Sequence, residues 1–462
     1  MSRQQHFLFL SLAAQGHINP TIQLAKQLVR GGARVTFTTT RDGLNRMITL
    51  PKMEGLFFEV FLDTLEDNKE GTKPNLLAEI KRMGPSNLAE LITSLSNGGH
   101  PVTLIIYTFL IPWAATVAHQ LQVKSALLAI QSATSFAIYH RFFNSQNGLS
   151  DEIKDKIIDQ SMISIDFPGL PSFSCNDVAT FLLPDDEYHS VSPIFQDHIR
   201  VLERDSNPRP LVLINTFDAL EQPTLLVQLK TTNIENFDVV TVGPIIPSAF
   251  SDGEDLSDKS VGCDLFECDK DYLSWLDKQE HGSVVYVSFG SLAQLKKEEK
   301  EEISHGLVNS GRPFLWVIRS LPNDEEDGLK TMVQENGLIV PWCSQIEVLD
   351  HKAVGCFVTH CGWNSTLESM VAGVPIVGYP CFSDQPTNAK MIEEVWCNGL
   401  RARLNDKGLV EKDELRRCLD VVMGSGEKGE EIRRNALKWR GLALEAVKEG
   451  GSSYKNLKLL LD

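Results

Sequence analysis

The decapeptide HCGWNSTLES, His360 to Ser369, gathers polar and small residues immediately ahead of a helical pattern. The preceding GCFVTH reads as a buried strand, CGWN as a turn with its glycine at Gly362, and STLESMVAG as a helix that ends at Gly373 before Pro375. A helix start leaves backbone N–H groups unpaired and carries the positive end of the dipole, so an anion such as phosphate suits it. The dipole supplies only about 0.3 to 2 kcal/mol. His360 and the hydroxyl of Ser365 must therefore add hydrogen bonds of their own. Asn364 or Ser365 can cap the helix, and the same residues serve as caps in helices with no ligand.

Other groups gather beside the same edge. In VPWCSQ, Trp342 and Gln345 end the preceding strand. A flat indole there can stack on a nucleobase, worth roughly 1 to 3 kcal/mol, or can be core. Glu368 lies one helical turn from Ser365 on the same face, where it can accept from both hydroxyls of a ribose or stand as a surface carboxylate. In PCFSDQ, Asp384 and Gln385 can grip vicinal hydroxyls of a sugar or cap a helix. Near the N-terminus, AAQGHINPTIQLA sets His17 in the first strand-to-helix turn, placed to take a proton from a hydroxyl or to play a structural part.

These residues need elements to position them. In the first half, HFLFLSLAA, ARVTFTTT, VTLIIYTF, SALLAI and LVLINTF are short, nearly continuous apolar runs separated by helical patterns. Strands of a parallel sheet covered on both faces have this character. The second half repeats it with SVVYVSFGS, PFLWVIR, GLIVPW, GCFVTH and PIVGYP. Val242 to Gly262 changes to prolines and then to an acidic, aperiodic stretch, which marks a linker. The expected division is residues 1–247 as a first domain, 248–262 as linker, 263–445 as a second domain, and 446–462 as a tail that packs back on the first domain. Two doubly wound sheets facing across a cleft offer two half-sites beyond their strand ends, hence a reaction between two substrates.

Bulk properties exclude other classes. With 462 residues, 42% hydrophobic and 23% charged, the chain has the composition of a multidomain globular protein. A net charge of -17 repels nucleic acid and anionic lipid. Nine scattered cysteines without a CxxC pair point to a reducing, cytoplasmic setting, and no second ligand pair accompanies His360 and Cys361, so no metal site is expected. MSRQQHFLFLSLAA only superficially resembles a signal peptide and reads better as the first strand, and no apolar run reaches the roughly 18 residues needed to span a bilayer.

The stretch from Trp342 to Gln385 resembles the signature box of the plant family 1 UDP-sugar glycosyltransferases, and GHINP, VGP, YVSFGS and GGSS extend the likeness over essentially the whole chain. The resemblance implies an α/β GT-B fold of two Rossmann-like domains. It implies that Trp342 stacks on uracil, Cys343 meets it through backbone, and Gln345 and Glu368 serve the ribose. His360, Asn364, Ser365 and Ser291 would hold the diphosphate, and Trp363, Asp384 and Gln385 the sugar, with glucose favoured by the glutamine. His17 would be the base for inverting transfer to a small apolar acceptor, without cofactor or metal, in a monomer. Trp113, Phe136, His140 and Phe382 are candidates for the acceptor lining.

One departure stands out. Many relatives carry an aspartate after the strand LIIY, where this chain has Thr108. A threonine hydroxyl can orient an imidazole but cannot stabilise imidazolium with a full charge. Phenolic or carboxylic acceptors would suffer least, as in the branch of anthocyanin 5-O-glucosyltransferases and glucose-ester-forming enzymes that the chain resembles. GSGEKG, Gly424 to Gly429, imitates a dinucleotide motif but follows a helical pattern, and DKD, Asp269 to Asp271, imitates a metal motif but precedes one. The rival classes are a non-catalytic nucleotide-sugar or small-ligand binding protein, against which His17 argues, and a nicotinamide-dependent oxidoreductase, which lacks its glycine-rich turn.

Overall fold

The computed structural model describes residues 5–63, 76–144, 154–155, 157, 170–204, 209–224, 236–259, 265–266, 271–319 and 336–462. Its strands are β1 (His6–Leu10), β2 (Arg34–Thr40), β3 (Leu56–Leu62), β4 (Leu104–Tyr107), β5 (Lys124–Ala129), β6 (Leu211–Ile214), β7 (Asp238–Thr241), β8 (Val284–Ser288), β9 (Phe314–Val317), β10 (Gly337–Val340), β11 (Val354–Thr359), β12 (Ile376–Gly378) and β13 (Gly399–Arg401). They form a seven-stranded sheet in the order β3-β2-β1-β4-β5-β6-β7 and a six-stranded sheet in the order β10-β9-β8-β11-β12-β13. All paired strands run parallel.

The central strands β1 and β8 are buried at every position, because helices cover both faces. Strand order reverses at β1/β4 in the first sheet and at β8/β11 in the second. Such switch points open a crevice at the carboxyl ends of the strands. His17 follows β1, Ser291 follows β8 and His360 follows β11, so the chemistry-bearing residues sit at the two crevices. Three strands escaped the apolar-run reading: β3, β7 and β13. All are at sheet edges, where one flank is open and polar residues interrupt the pattern.

A single apolar cluster runs from the first sheet into the second, taking in Trp363, Leu367, Met370, Trp396 and Trp439. The indole N–H groups of Trp363 and Trp396 donate across the seam to the carbonyls of Asn215 (2.7 Å) and Leu220 (3.2 Å). The stretch after Val242 is not a free linker. Asp258 is buried between Lys26 (2.8 Å) and Arg30 (3.2 Å), which straps it to the first helix, Gln15–Arg30. The helix Ser452–Leu461 lies against β7, where Ser453 Oγ donates to the Gly243 carbonyl and Asn456 Nδ2 to the Thr241 carbonyl. GSGEKG follows the helix Lys412–Met423 and runs into the start of the helix Glu427–Val447, and Asp271 opens the helix Asp271–Leu276, while Asp269 and Lys270 lie outside the described residues.

Asp177 closes the seam on its other side. Its carboxylate reaches Arg401 at 2.7 Å and Lys390 at 3.6 Å, and its carbonyl accepts from Thr387 Oγ1 at 2.6 Å. Burial alone would raise its pKa, but hydrogen bonds from Ser174 and Arg401 outweigh that and hold it below the usual value. Asp177→Asn takes the carboxylate from Arg401 and from Lys390, which keeps Glu394 at 2.9 Å, and is expected to cost about 2 kcal/mol near neutral pH. Because the native carboxyl is depressed, its contribution is present above the ordinary aspartate pKa and lost as pH falls through the native value. Denaturant titrations should show the gap between wild type and variant closing at acid pH.

Candidate functional site

A cavity of about 470 Å³ lies between the two switch points. It is lined from the first sheet by Gly16, His17, Asn19, Ile130 and Gln131, and from the second by all the expected donor-side residues: Ser291, Trp342, Cys343, Gln345, His360, Trp363, Asn364, Ser365, Glu368, Asp384 and Gln385.

The turn after β11 sets the geometry. Cys361 adopts φ 64°, a left-handed conformation that costs a non-glycine residue about 1 to 2 kcal/mol, and it reverses the chain into a helix that runs Trp363–Ala372. The thiol is buried against Gly378 rather than offered to a ligand. Among the described residues no group of three or more His, Cys, Asp or Glu could hold a metal. Gly373 ends the helix at φ 71°, as a left-handed cap.

The helix starts two residues earlier than the sequence pattern suggested, so Gly362 takes the N-cap position and Asn364 lies inside the first turn. Asn364 therefore does not cap. Its Nδ2 donates 2.9 Å to the carbonyl of Gly16, one residue from His17. Nor is the Trp363 indole free to hold a sugar through its N–H, which is spent on Asn215. The amide N–H groups of the first turn remain for an anion.

His360 stands beside that helix start. Burial lowers its pKa to about 4, against a smaller opposing contribution from Ser288, so it is a neutral N–H donor at pH 7. Two glycines make room for the ring: a Cβ on Gly290 would fall 2.7 Å from His360 Nε2, and one on Gly362 2.5 Å away.

Further along, Gln345 Nε2 donates to Ser365 Oγ (2.8 Å) and to Glu368 Oε2 (2.6 Å). Burial raises Glu368 to about 7 even though the Gln345 bond opposes it, and burial raises Asp384 to about 6 against a hydrogen bond from Asn388. Gln385 Oε1 accepts from the amides of Cys381 (2.8 Å) and Phe382 (2.9 Å), which fixes the amide plane. Trp342 is half-buried, with the Phe266 ring 4.5 Å away.

On the opposite wall, His17 Nδ1 lies 3.0 Å from Thr108 Oγ1, and Thr108 is fully buried. Burial lowers His17 to about 4. Of the four acceptor candidates, Phe382 borders the cavity and stacks on Tyr188 at 4.8 Å. The other three do not border it. Phe136 is wholly in the core with its edge to Phe237, His140 turns inward to pair with Glu203 at 2.5 Å, and Trp113 packs over Gly84 and Phe61. Their helix positions look alike in sequence, and only packing distinguishes core from lining.

Several lining residues were not singled out from sequence: Gln15, Asn19, Ile130, Gln131, Tyr286, Gly290 and Glu347. Tyr286 had a legible signal, since a tyrosine inside a buried strand needs a partner for its hydroxyl. Gly362→Ala is acceptable to the backbone at φ -59° but pushes a methyl into His360. Calorimetry with UDP should show affinity reduced by about tenfold or more while the melting temperature changes little, since the loss is of a charge-assisted contact.

Comparison with known proteins agrees with this geometry. The family model described as UDP-glucoronosyl and UDP-glucosyl transferase matches residues 269–434. Over 100% of its length the chain is 47% identical to a crocetin glucosyltransferase, designated chloroplastic, of Gardenia jasminoides, with 98% of that protein covered. It is 46% identical to a phloretin 4'-O-glucosyltransferase of Malus domestica, over 99% of this chain and 98% of that one. The crystal structure of Os79 from O. sativa in complex with UDP superposes with a TM-score of 0.85 at 33% identity, covering 98% of this chain and 99% of the other. A cavity of this form between two parallel sheets, with relatives matched end to end, makes the chain a member of the plant family 1 UDP-sugar glycosyltransferases, with the GT-B fold.

Proposed function

We propose that the protein transfers glucose from UDP-glucose to a hydroxyl or carboxyl of a small aromatic or otherwise apolar acceptor, with inversion at the anomeric carbon. The observation that carries this reading is the set of groups that line one cavity: the Trp342 indole, the Glu368 carboxylate, a helix start with His360, and Asp384 with Gln385, together with His17 from the first sheet. That set supplies a partner for base, ribose, diphosphate and sugar. Trp342 takes the uracil with Cys343 beside it, and Glu368 takes the ribose hydroxyls. Ser291, His360, Ser365 and the amides of the first helical turn take the diphosphate, and Asp384 and Gln385 take the sugar.

In the reaction, the acceptor oxygen attacks the anomeric carbon from the face opposite UDP, the bond to the β-phosphate breaks, and an α-linked donor gives a β-linked product. The acceptor proton passes to His17 Nε2, whose lone pair is free when Nδ1–H donates to Thr108. Charge developing on the leaving diphosphate is met by amide and imidazole N–H groups that are already in place. Chelator should therefore leave the rate unchanged.

The low basicity of His17 limits the acceptor. With an imidazole near pKa 4 and a phenol near 10, full proton transfer before attack would cost about 8 kcal/mol. Phenols therefore need the proton to move in concert with attack, and carboxylates need no base at all. Relatives named for crocetin, phloretin and anthocyanidin 3-O-glucoside acceptors support this class. One chain supplies both walls of the site, so a monomer suffices. Among the described residues no two cysteines form a disulfide, which suits a reducing compartment such as the cytoplasm, and fractionation of the source tissue would test that against the chloroplast.

UDP-glucose presented with phenols, flavonoids and carboxylic acids tests the reading. His17→Ala should lower turnover of phenols by at least about a hundredfold and that of carboxylic acids far less. Thr108→Asp should raise the His17 pKa and speed phenols relative to acids. Equal loss on every acceptor in His17→Ala would remove the assigned base. An ionised Glu368 accepts from both ribose hydroxyls and a protonated one accepts more weakly, so UDP-glucose, whose diphosphodiester does not titrate near neutrality, should bind several-fold more tightly at pH 8 than at pH 6. Glu368→Gln should flatten that dependence in calorimetry.

A further inference from the structure

We infer that Tyr286 is a positioning residue of the donor site, holding the Gln345 amide so that it presents Glu368 to the ribose. The inference rests on the reading of that carboxylate as the ribose acceptor. Tyr286 lies in β8, fully buried, its ring stacked on Phe357 at 4.8 Å and 20°. Its hydroxyl reaches the cavity wall, 3.3 Å from Gln345 Oε1 and 3.4 Å from Cys343 Sγ.

The orientation of Gln345 follows from its neighbours. An ionised Glu368 only accepts, so the Gln345 Nε2 group must face it, at 2.6 Å, and the second N–H goes to Ser365 at 2.8 Å. Oε1 is thereby turned toward the sheet, where the Tyr286 hydroxyl donates to it. With every polar atom of Gln345 engaged, the side chain acts on the ligand through the carboxylate it orients. Without the hydroxyl, Oε1 is left lacking that donor. The amide then relieves the loss by rotating, which draws Nε2 away from Glu368. Burial keeps the phenol neutral, so Tyr286 remains a donor across the working pH range.

Tyr286→Phe deletes the hydroxyl and preserves the ring on Phe357. Calorimetry on the full-length protein should show UDP binding weakened by about three- to tenfold. Binding of 2′,3′-dideoxy-UDP, which lacks the ribose hydroxyls that Glu368 receives, should be unchanged. Gln345→Met should give the same selective loss, and adding Tyr286→Phe to it should cost nothing more. Equal weakening of both nucleotides, or additive losses in the double variant, would overturn the positioning role. Wild-type protein that binds the two nucleotides equally would instead overturn the ribose reading on which the inference rests.

Discussion

The first turn of the helix Trp363–Ala372 has two obligations, and the site depends on both being met at once. Its residues Trp363, Asn364 and Ser365 line the cavity, while the side chains of the first two cross the seam, Trp363 to the Asn215 carbonyl and Asn364 to the Gly16 carbonyl. Gly16 adjoins His17. In the proposed reaction a single turn of helix then fixes where the leaving group sits relative to the base. In-line displacement is sensitive to displacements of about 1 Å, so this register matters more than the strength of any one bond. The shared apolar cluster and the Asp177 bridge to Arg401 and Lys390 hold the seam shut around that turn.

Desolvation in this closed seam acts on imidazoles and carboxyls in opposite directions, and both outcomes serve transfer chemistry. His17 and His360 are pushed down to about 4 and stay neutral, one with a lone pair available and the other with an N–H. Glu368 and Asp384 are pushed up to about 7 and about 6. Neutral imidazoles spare the cavity a buried cation, and raised carboxyls lessen the cost of buried anions. Thr108 extends the same economy to the base by orienting the ring without adding charge.

The stretch between the domains shows how little of an assembled site is independent of its surroundings. Asp258 is buried against the helix that begins beside His17, the backbone amide of Leu265 donates to Gln15 Oε1 at 3.0 Å, and Phe266 lies against Trp342. A connector chosen from composition as aperiodic chain is held at Asp258 by the first helix, and the residues just beyond it reach Gln15 and Trp342.

What the sequence determined by itself was whatever depends on local spacing. Continuous apolar runs specified the covered parallel strands, and the spacing of residues specified the succession of strand, turn and helix at His360 to Ser365. The edge strands β3, β7 and β13 were hidden because their polar positions follow from having no neighbour on one flank. Tertiary structure decided the rest. Asn364 turned out to be a bridge rather than a cap, Phe136 and His140 pack inward, and Tyr286 sits behind Gln345. The physical reason is that a hydrogen-bond partner or a packing face contributed by a distant segment leaves no periodic trace near the residue that uses it.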